Sequence, residues 1–306
     1  MVRPNKIIIL LVKILVSGGL LYAVISRTGT DRVLSTLKGI DIFSFFLAVL
    51  IYVVTVFIST VRWRLLLHED FAMKRLFSLY LIGSFFNHLL PGIIGGDAVK
   101  AYYLYRDTGR GSSAVASVFM DRYIGFTALM LLGLTAFPFG FSYFRGSYLE
   151  WILPLIVLIF IAGSFLVFGL RIGRGIKSLS GLYDYFAVYK GKKTVIAETL
   201  FLSILIQALV ICAVYILSRG LKVYVPLLPL FIFIPVISTI ATLPISISGI
   251  GVREASFVLL FGFLGTSPAQ ATAVSFAWFL SMAAGSLPGL IEYLRYRRGG
   301  HESMAP

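Results

Sequence analysis

Charge is what this chain has least of. Only 13% of its 306 residues are charged, with 13 Asp and Glu against 27 Lys and Arg. A water-soluble domain covers its surface with roughly 25% charged residues, so a chain this poor in charge is built for lipid. Cysteine is nearly absent as well: Cys212 stands alone in an apolar run, which excludes an internal disulfide. Three histidines and one cysteine leave no cluster with metal-ligand spacing, so no metal is expected. No Gly-x-x-x-x-Gly-Lys-Ser/Thr loop is present to cradle a nucleotide, and no cofactor is expected.

Hydrophobic residues make up 58% of the chain and mean hydropathy is +0.94. Apolar runs near 7–25, 42–61, 113–137, 149–170, 196–218 and 269–292 are long enough to cross a ~30 Å hydrocarbon core. The first follows Arg3 and Lys6 like a secretory signal, but it is long, carries Lys13 and lacks a small-residue cleavage site, so it reads as a retained span. Two further apolar segments, 77–106 and 227–264, are interrupted by Pro and Gly. Their halves are mostly short for a full crossing and read as re-entrant hairpins, two thin spans each being the alternative. The expected fold is therefore an all-α polytopic membrane protein, with about six transmembrane helices and two re-entrant broken-helix hairpins. Apolar residues of 171–189 recur at helical spacing with bases between them, which predicts a helix lying flat on the interface.

The net charge of +14 reflects basic loops rather than a nucleic-acid partner. With the N-terminus inside, seventeen Lys and Arg fall on the inner side and six on the outer. Lys and Arg accumulate on the cytoplasmic side, so both termini are expected to be cytoplasmic, in the cytoplasmic (inner) membrane.

The two interrupted segments resemble each other. Leu90-Pro91-Gly92-Ile93-Ile94-Gly95-Gly96-Asp97-Ala98-Val99-Lys100 aligns without gaps on Leu243-Pro244-Ile245-Ser246-Ile247-Ser248-Gly249-Ile250-Gly251-Val252-Arg253, at an offset of 153 residues. The same offset carries 42–61 onto 196–218 and 113–137 onto 269–292. This predicts one membrane domain, 1–306, made of a first repeat, 1–140, and a second, inverted repeat, 141–306. Broken helices that meet near the midplane in inverted repeats are a recurring transporter design.

Ionisable residues inside apolar runs are costly, about 2.5–3.5 kcal/mol each on insertion scales, and mark interior sites. Lys13 and Glu292 lie near helix ends and read as structural. Asp97 can act as an N-cap for the helix after the first break. Lys100 and Arg253 occupy matched first-turn positions, where a cation opposes the helix dipole and needs compensation, from Asp97 or Glu254 or from a bound anion. Asp121 and Arg122 are neighbours deep in a span and point ~100° apart, so they need not pair with each other. Asn87 and His88 precede the first break, His88 reading more as a satisfied interior group than as a proton carrier. The substrate-binding set expected is Asn87, Asp97, Lys100, Asp121, Arg122, Arg253 and Glu254, with no catalytic residue.

Phe86-Asn87, Pro91-Gly92, Gly95-Gly96-Asp97, Ala101-Tyr102, Asp121-Arg122-Tyr123-Ile124-Gly125 and Leu243-Pro244-Ile245-Ser246 through Gly249-Ile250-Gly251-Val252-Arg253-Glu254 together resemble the flippase-like membrane family, with Arg62-Trp63 fitting as well. That family includes the transmembrane domain of lysyl-phosphatidylglycerol synthases and stand-alone proteins associated with hopanoid, glycolipid or polyprenyl-linked glycan pathways. Lys100 stands where the family more often has Arg, and Ser248 where it often has Gly. The synthases' aminoacyl-transferase domain has no counterpart in this sequence, so aminoacyl-lipid synthesis is not implied. What the resemblance implies is a lipid translocase acting on an anionic phospholipid or polyprenyl-phosphate-linked lipid held by its phosphate. A membrane enzyme modifying a lipid head group and an accessory subunit of a lipid or glycan pathway are the alternatives. A second copy of the chain and a pathway enzyme stay open as protein partners.

Overall fold

The computed structural model describes residues 4–89, 95–147, 149–172, 177–243 and 245–302. Among them the regular structure is helical: α1 (Pro4–Thr28), α2 (Thr30–Lys38), α3 (Ile42–Leu65), α4 (Met73–Leu89), α5 (Gly95–Thr108), α6 (Gly111–Gly140), α7 (Leu149–Ser164), α8 (Lys177–Tyr189), α9 (Lys193–Gly220), α10 (Leu227–Thr242), α11 (Val252–Gly262), α12 (Pro268–Ser286) and α13 (Pro288–Glu302). Among the described residues six stretches are long and apolar enough to cross a membrane, on α1, α3, α6, α7, α9 and the α12–α13 rod. The chain is a multi-pass membrane protein.

Local chemistry explains where these helices start and stop. Asp41 caps α3, accepting the Ser44 N–H at 2.9 Å. Ser267 and Gln270 bond reciprocally at the head of α12, with Pro268 in its first turn. The span expected over 269–292 is divided at Leu287, because Pro288 brings no N–H to continue the ladder. The stretch after the first span folds into the short helix α2. The flat helix expected over 171–189 is described from Lys177 onward, as α8.

Each interrupted segment forms a pair of packed helices. In the first pair Gly83 faces Lys100 and Asn87 faces Gly96, so α4 and α5 run antiparallel. The backbones touch at Gly96, where an added Cβ would lie 1.8 Å from the Gly83 carbonyl oxygen. At the open end of this pair Arg75 of α4 forms two 2.9 Å bonds with Asp107 of α5, and Tyr296 of α13 donates to Asp107 at 2.7 Å. The second pair, α10 and α11, opens at the other end of the bundle. There Asp41 donates its N–H to the Gly220 carbonyl at 2.9 Å, and Val33, Val225, Leu230 and Ala271 share one apolar core.

The linkers inside the two pairs differ in what is described. Pro91, Gly92 and the rest of 90–94, and also Pro244, lie outside the described residues. Beyond Pro244 the backbone turns through three left-handed positions, Ser248 (φ 49°), Gly249 (φ 77°) and Gly251 (φ 81°), before α11 begins. Helix α1 braces the turn: Ser17 Oγ accepts the Ile247 N–H at 2.8 Å, and Gly251 lies so close that a Cβ would be 2.7 Å from the Ser17 carbonyl oxygen.

Candidate functional site

The two broken helices meet at their interrupted ends, where Ser248 Oγ donates to the Asn87 carbonyl oxygen at 3.3 Å. Beside this contact is a cavity of about 260 Å³, lined by residues of α3, α4, α5, α6, α11 and α12. Asn87, His88, Asp97, Lys100, Arg122, Ser248 and Arg253 all face it. Asp121 and Glu254 do not; they lie behind the cations that do.

Asp121 is completely buried on α6. Its Oδ1 accepts Arg62 Nε at 2.9 Å, and its Oδ2 accepts Lys100 Nζ at 3.2 Å and the Tyr80 hydroxyl at 3.0 Å. Arg62 also donates to Ser203 Oγ of α9 at 2.8 Å, so the cluster joins five helices, α3, α4, α5, α6 and α9. One carboxylate thus serves two cations. The Lys100 ammonium is held further by the rings of Trp63 and Tyr80, 4.5 and 4.1 Å away, an attraction worth about 2 kcal/mol when desolvated. Compensation for Lys100 therefore comes from another helix and two aromatic faces, not from Asp97.

Arg253 is compensated by its own neighbour. Its Nη2 and Nε lie 2.7 and 3.1 Å from Glu254 Oε1, which also accepts Ser275 Oγ–H at 3.0 Å. The other oxygen, Oε2, accepts the Gly251 N–H at 2.7 Å and so satisfies a free donor at the head of α11. The guanidinium lies 4.7 Å over Phe279, with one face toward the cavity.

Asp97 has a different role from the cap expected of it. Its oxygens accept Arg122 Nε at 2.6 Å and Nη2 at 3.1 Å, bridging α5 to α6. The first turn of α5 is served by Asn87, whose Oδ1 accepts the Gly96 N–H at 3.0 Å. This exchange follows from packing: Asn87 is delivered by the antiparallel partner helix, leaving Asp97 free to take a guanidinium. Arg122 is half exposed, at 51%, while Asp97 is at 15%. Asp121 and Arg122 turn to different partners, as their ~100° separation on a helix requires.

His88 donates its Nδ1–H to the Ser84 carbonyl at 2.8 Å and lies among the rings of Tyr52 and Phe279. Glu292 accepts Ser78 Oγ–H at 2.7 Å and pairs with Arg295 at 3.0 Å, away from the cavity.

The residue missed by sequence reasoning is Arg62. It was counted with the basic residues of an inner loop, yet it is buried at 5% while Arg64, two residues on, is exposed. The available signal was its position in the last turn of an apolar span beside Trp63. Tyr80, Ser203 and Ser275, which complete the two buried clusters, carry no sequence signal that separates them from other interior polar residues. Seven charged groups then surround the cavity: Arg62, Lys100, Arg122 and Arg253 against Asp97, Asp121 and Glu254. The cations outnumber the carboxylates by one.

Residues 10–289 match the family described as the lysylphosphatidylglycerol synthase TM region. The chain is similar to a UPF0104 membrane protein of Methanothermobacter thermautotrophicus, 25% identical over 307 aligned residues that cover 88% of each chain. It is likewise 24% identical to a UPF0104 membrane protein of Methanocaldococcus jannaschii, over 90% of each chain. A UPF0104 membrane protein of Pyrococcus horikoshii is 28% identical over a shorter stretch of 120 residues.

Proposed function

Because the chain belongs to the family of the lysylphosphatidylglycerol synthase TM region, we propose that it translocates an anionic lipid, gripping its phosphate between the two broken helices while the tail stays in the bilayer. The observation that carries this reading is the lining of the central cavity. Lys100, Arg122 and Arg253 face it, whereas Asp121 and Glu254 face away and hold Lys100 and Arg253 in place. A low-dielectric pocket with one cation in excess favours an anion. A guanidinium offers paired donors to a phosphate, while Lys100 acts as a point charge. The substrate class is a phospholipid or a polyprenyl-phosphate-linked lipid.

The proposed transport cycle uses halves 1–140 and 141–306 as inverted repeats, with α4–α5 and α10–α11 as re-entrant hairpins from opposite membrane faces. The Asp97–Arg122 pair is the part suited to exchange partners, since Arg122 is half exposed and a phosphate can replace the carboxylate. The orientation proposed has both termini in the cytoplasm, in the cytoplasmic membrane.

Reconstitution into vesicles holding head-group-labelled phosphatidylglycerol or a polyprenyl phosphate tests this. Lipid movement above that of protein-free vesicles is expected, with its loss in Arg122→Ala and Arg253→Ala. Movement of neither probe, with both variants still supporting growth, would sink the proposal. A chemically altered lipid in the same vesicles would point to a head-group-modifying enzyme instead.

A further inference from the structure

A second and larger cavity, about 560 Å³, lies between α6, α8, α9 and the end of α7. Its floor is apolar and aromatic. Tyr123, Phe168 and Phe186 close on one another there, with ring centroids 4.3 to 5.8 Å apart, above the buried Ile124. Among the described residues its charged lining is exposed, with the cations Arg171 and Lys190 against one carboxylate, Asp184.

The groove is held open by hydrogen bonds that suspend α8. The hydroxyls of Tyr185 and Tyr189 both donate to the Leu66 carbonyl, anchoring α8 to the loop after α3. The Tyr183 hydroxyl donates to the Ile172 carbonyl at 2.6 Å, anchoring the same helix to the end of α7. That end is irregular: a π-helical turn, Phe165–Gly169, leads to Arg171 at φ 53°, a left-handed conformation that a side chain rarely adopts. The backbone is thus bent where the arginine reaches the groove.

We propose that this groove is a binding site for an anionic phospholipid, with an acyl chain along the Tyr123–Phe168–Phe186 floor and the phosphate drawn to Arg171 and Lys190. Its volume lies within the usual 300–1,000 Å³ of small-ligand sites. Two cations against one carboxylate select an acidic head group over a zwitterionic one. The site is separate from the central cavity and does not rest on the translocation reading.

Phe186→Trp places a reporter on the groove floor, to be read against the parent's own tryptophans. In phosphatidylcholine vesicles containing a minor share of phosphatidylglycerol, brominated chains on phosphatidylglycerol are expected to quench it more than the same fraction of brominated phosphatidylcholine. Arg171→Gln with Lys190→Gln should lower that preference by about fivefold per charge removed. Retention of phosphatidylglycerol by the unaltered chain in native mass spectrometry, reduced in the double glutamine variant, gives the same answer without the tryptophan. Equal quenching by the two lipids, indifference to the double variant, or loss of a dimer in place of a lipid overturns the proposal.

Discussion

Asp121 has no contact with solvent and two cations depend on it, so its charge is worth more to the fold than its exposure on any surface could be. Asp121→Asn keeps the shape and removes the charge, leaving Arg62 and Lys100 buried together without a counter-ion. Breaking a buried pair in this way costs about 3–5 kcal/mol. A lower thermal midpoint in detergent is expected, and a midpoint equal to the parent's would show that the cluster is hydrated. Arg122 differs because its side chain is half exposed to the cavity, so its pair with Asp97 contributes less than the fully buried cluster does. Arg122→Ala should therefore melt nearer to the parent than Asp121→Asn does, while losing lipid movement in vesicles. Parallel loss of stability and movement would reduce Arg122 to a scaffold role. At this scale the sequence was legible for residues that interrupt apolar runs, such as Lys100, Asp121 and Arg253. It was not legible for Arg62, which sits at the end of a span where a basic loop also begins.

The elements depend on a few backbone approaches. Helices α4 and α5 touch at Gly96, where any Cβ collides with the Gly83 carbonyl and with Asn87. Gly96→Ala forces the pair apart and should cost about 1–3 kcal/mol in a melting measurement, the usual range for overpacking. The second turn is pinned by α1, and Ser17→Ala leaves the Ile247 N–H without its acceptor, at about 1–3 kcal/mol. Helix α8 carries a pH dependence. His68 stands against Tyr185 and Tyr189 at 4.3 and 5.6 Å, and partial desolvation, reinforced by Lys192 and opposed by Glu69, holds its pKa below the ordinary 6.5. The docked state thus prefers the neutral ring. Its contribution is complete above the ordinary value and is lost as pH falls through the window beneath it. Hydrogen exchange of α8, corrected for intrinsic rates, should accelerate between about pH 7.5 and about pH 5.5 in the parent but not in His68→Phe. Equal acceleration in both would place the dependence elsewhere.

For the whole molecule, the two helix pairs open at opposite ends of the bundle, and this fixes which loops share a side. In a chain with Cys212 replaced, cysteines at Ser142 and Tyr224 should be labelled from one side of the membrane by an impermeant maleimide, and one at Lys190 from the other. With the proposed orientation the first two are external. Labelling of Tyr224→Cys on the same side as Lys190→Cys would remove the inverted arrangement.

Composition and periodicity determined the solvent, the six stretches long and apolar enough to cross and the two interruptions, because each is a property of a single segment: length against bilayer thickness, or Pro and Gly against helix continuity. The offset of 153 residues aligns Lys100 with Arg253, yet Lys100 is the sixth residue of α5 and Arg253 the second of α11. Which carboxylate holds which cation was decided only by tertiary structure. Asp97 looked like a cap and became Arg122's partner because Asn87, arriving on the antiparallel helix, already served the first turn of α5. Lys100 found Asp121 across the bundle, and Arg62 joined them, because ion pairing inside a membrane depends on distances between helices, and one-dimensional spacing does not contain those distances.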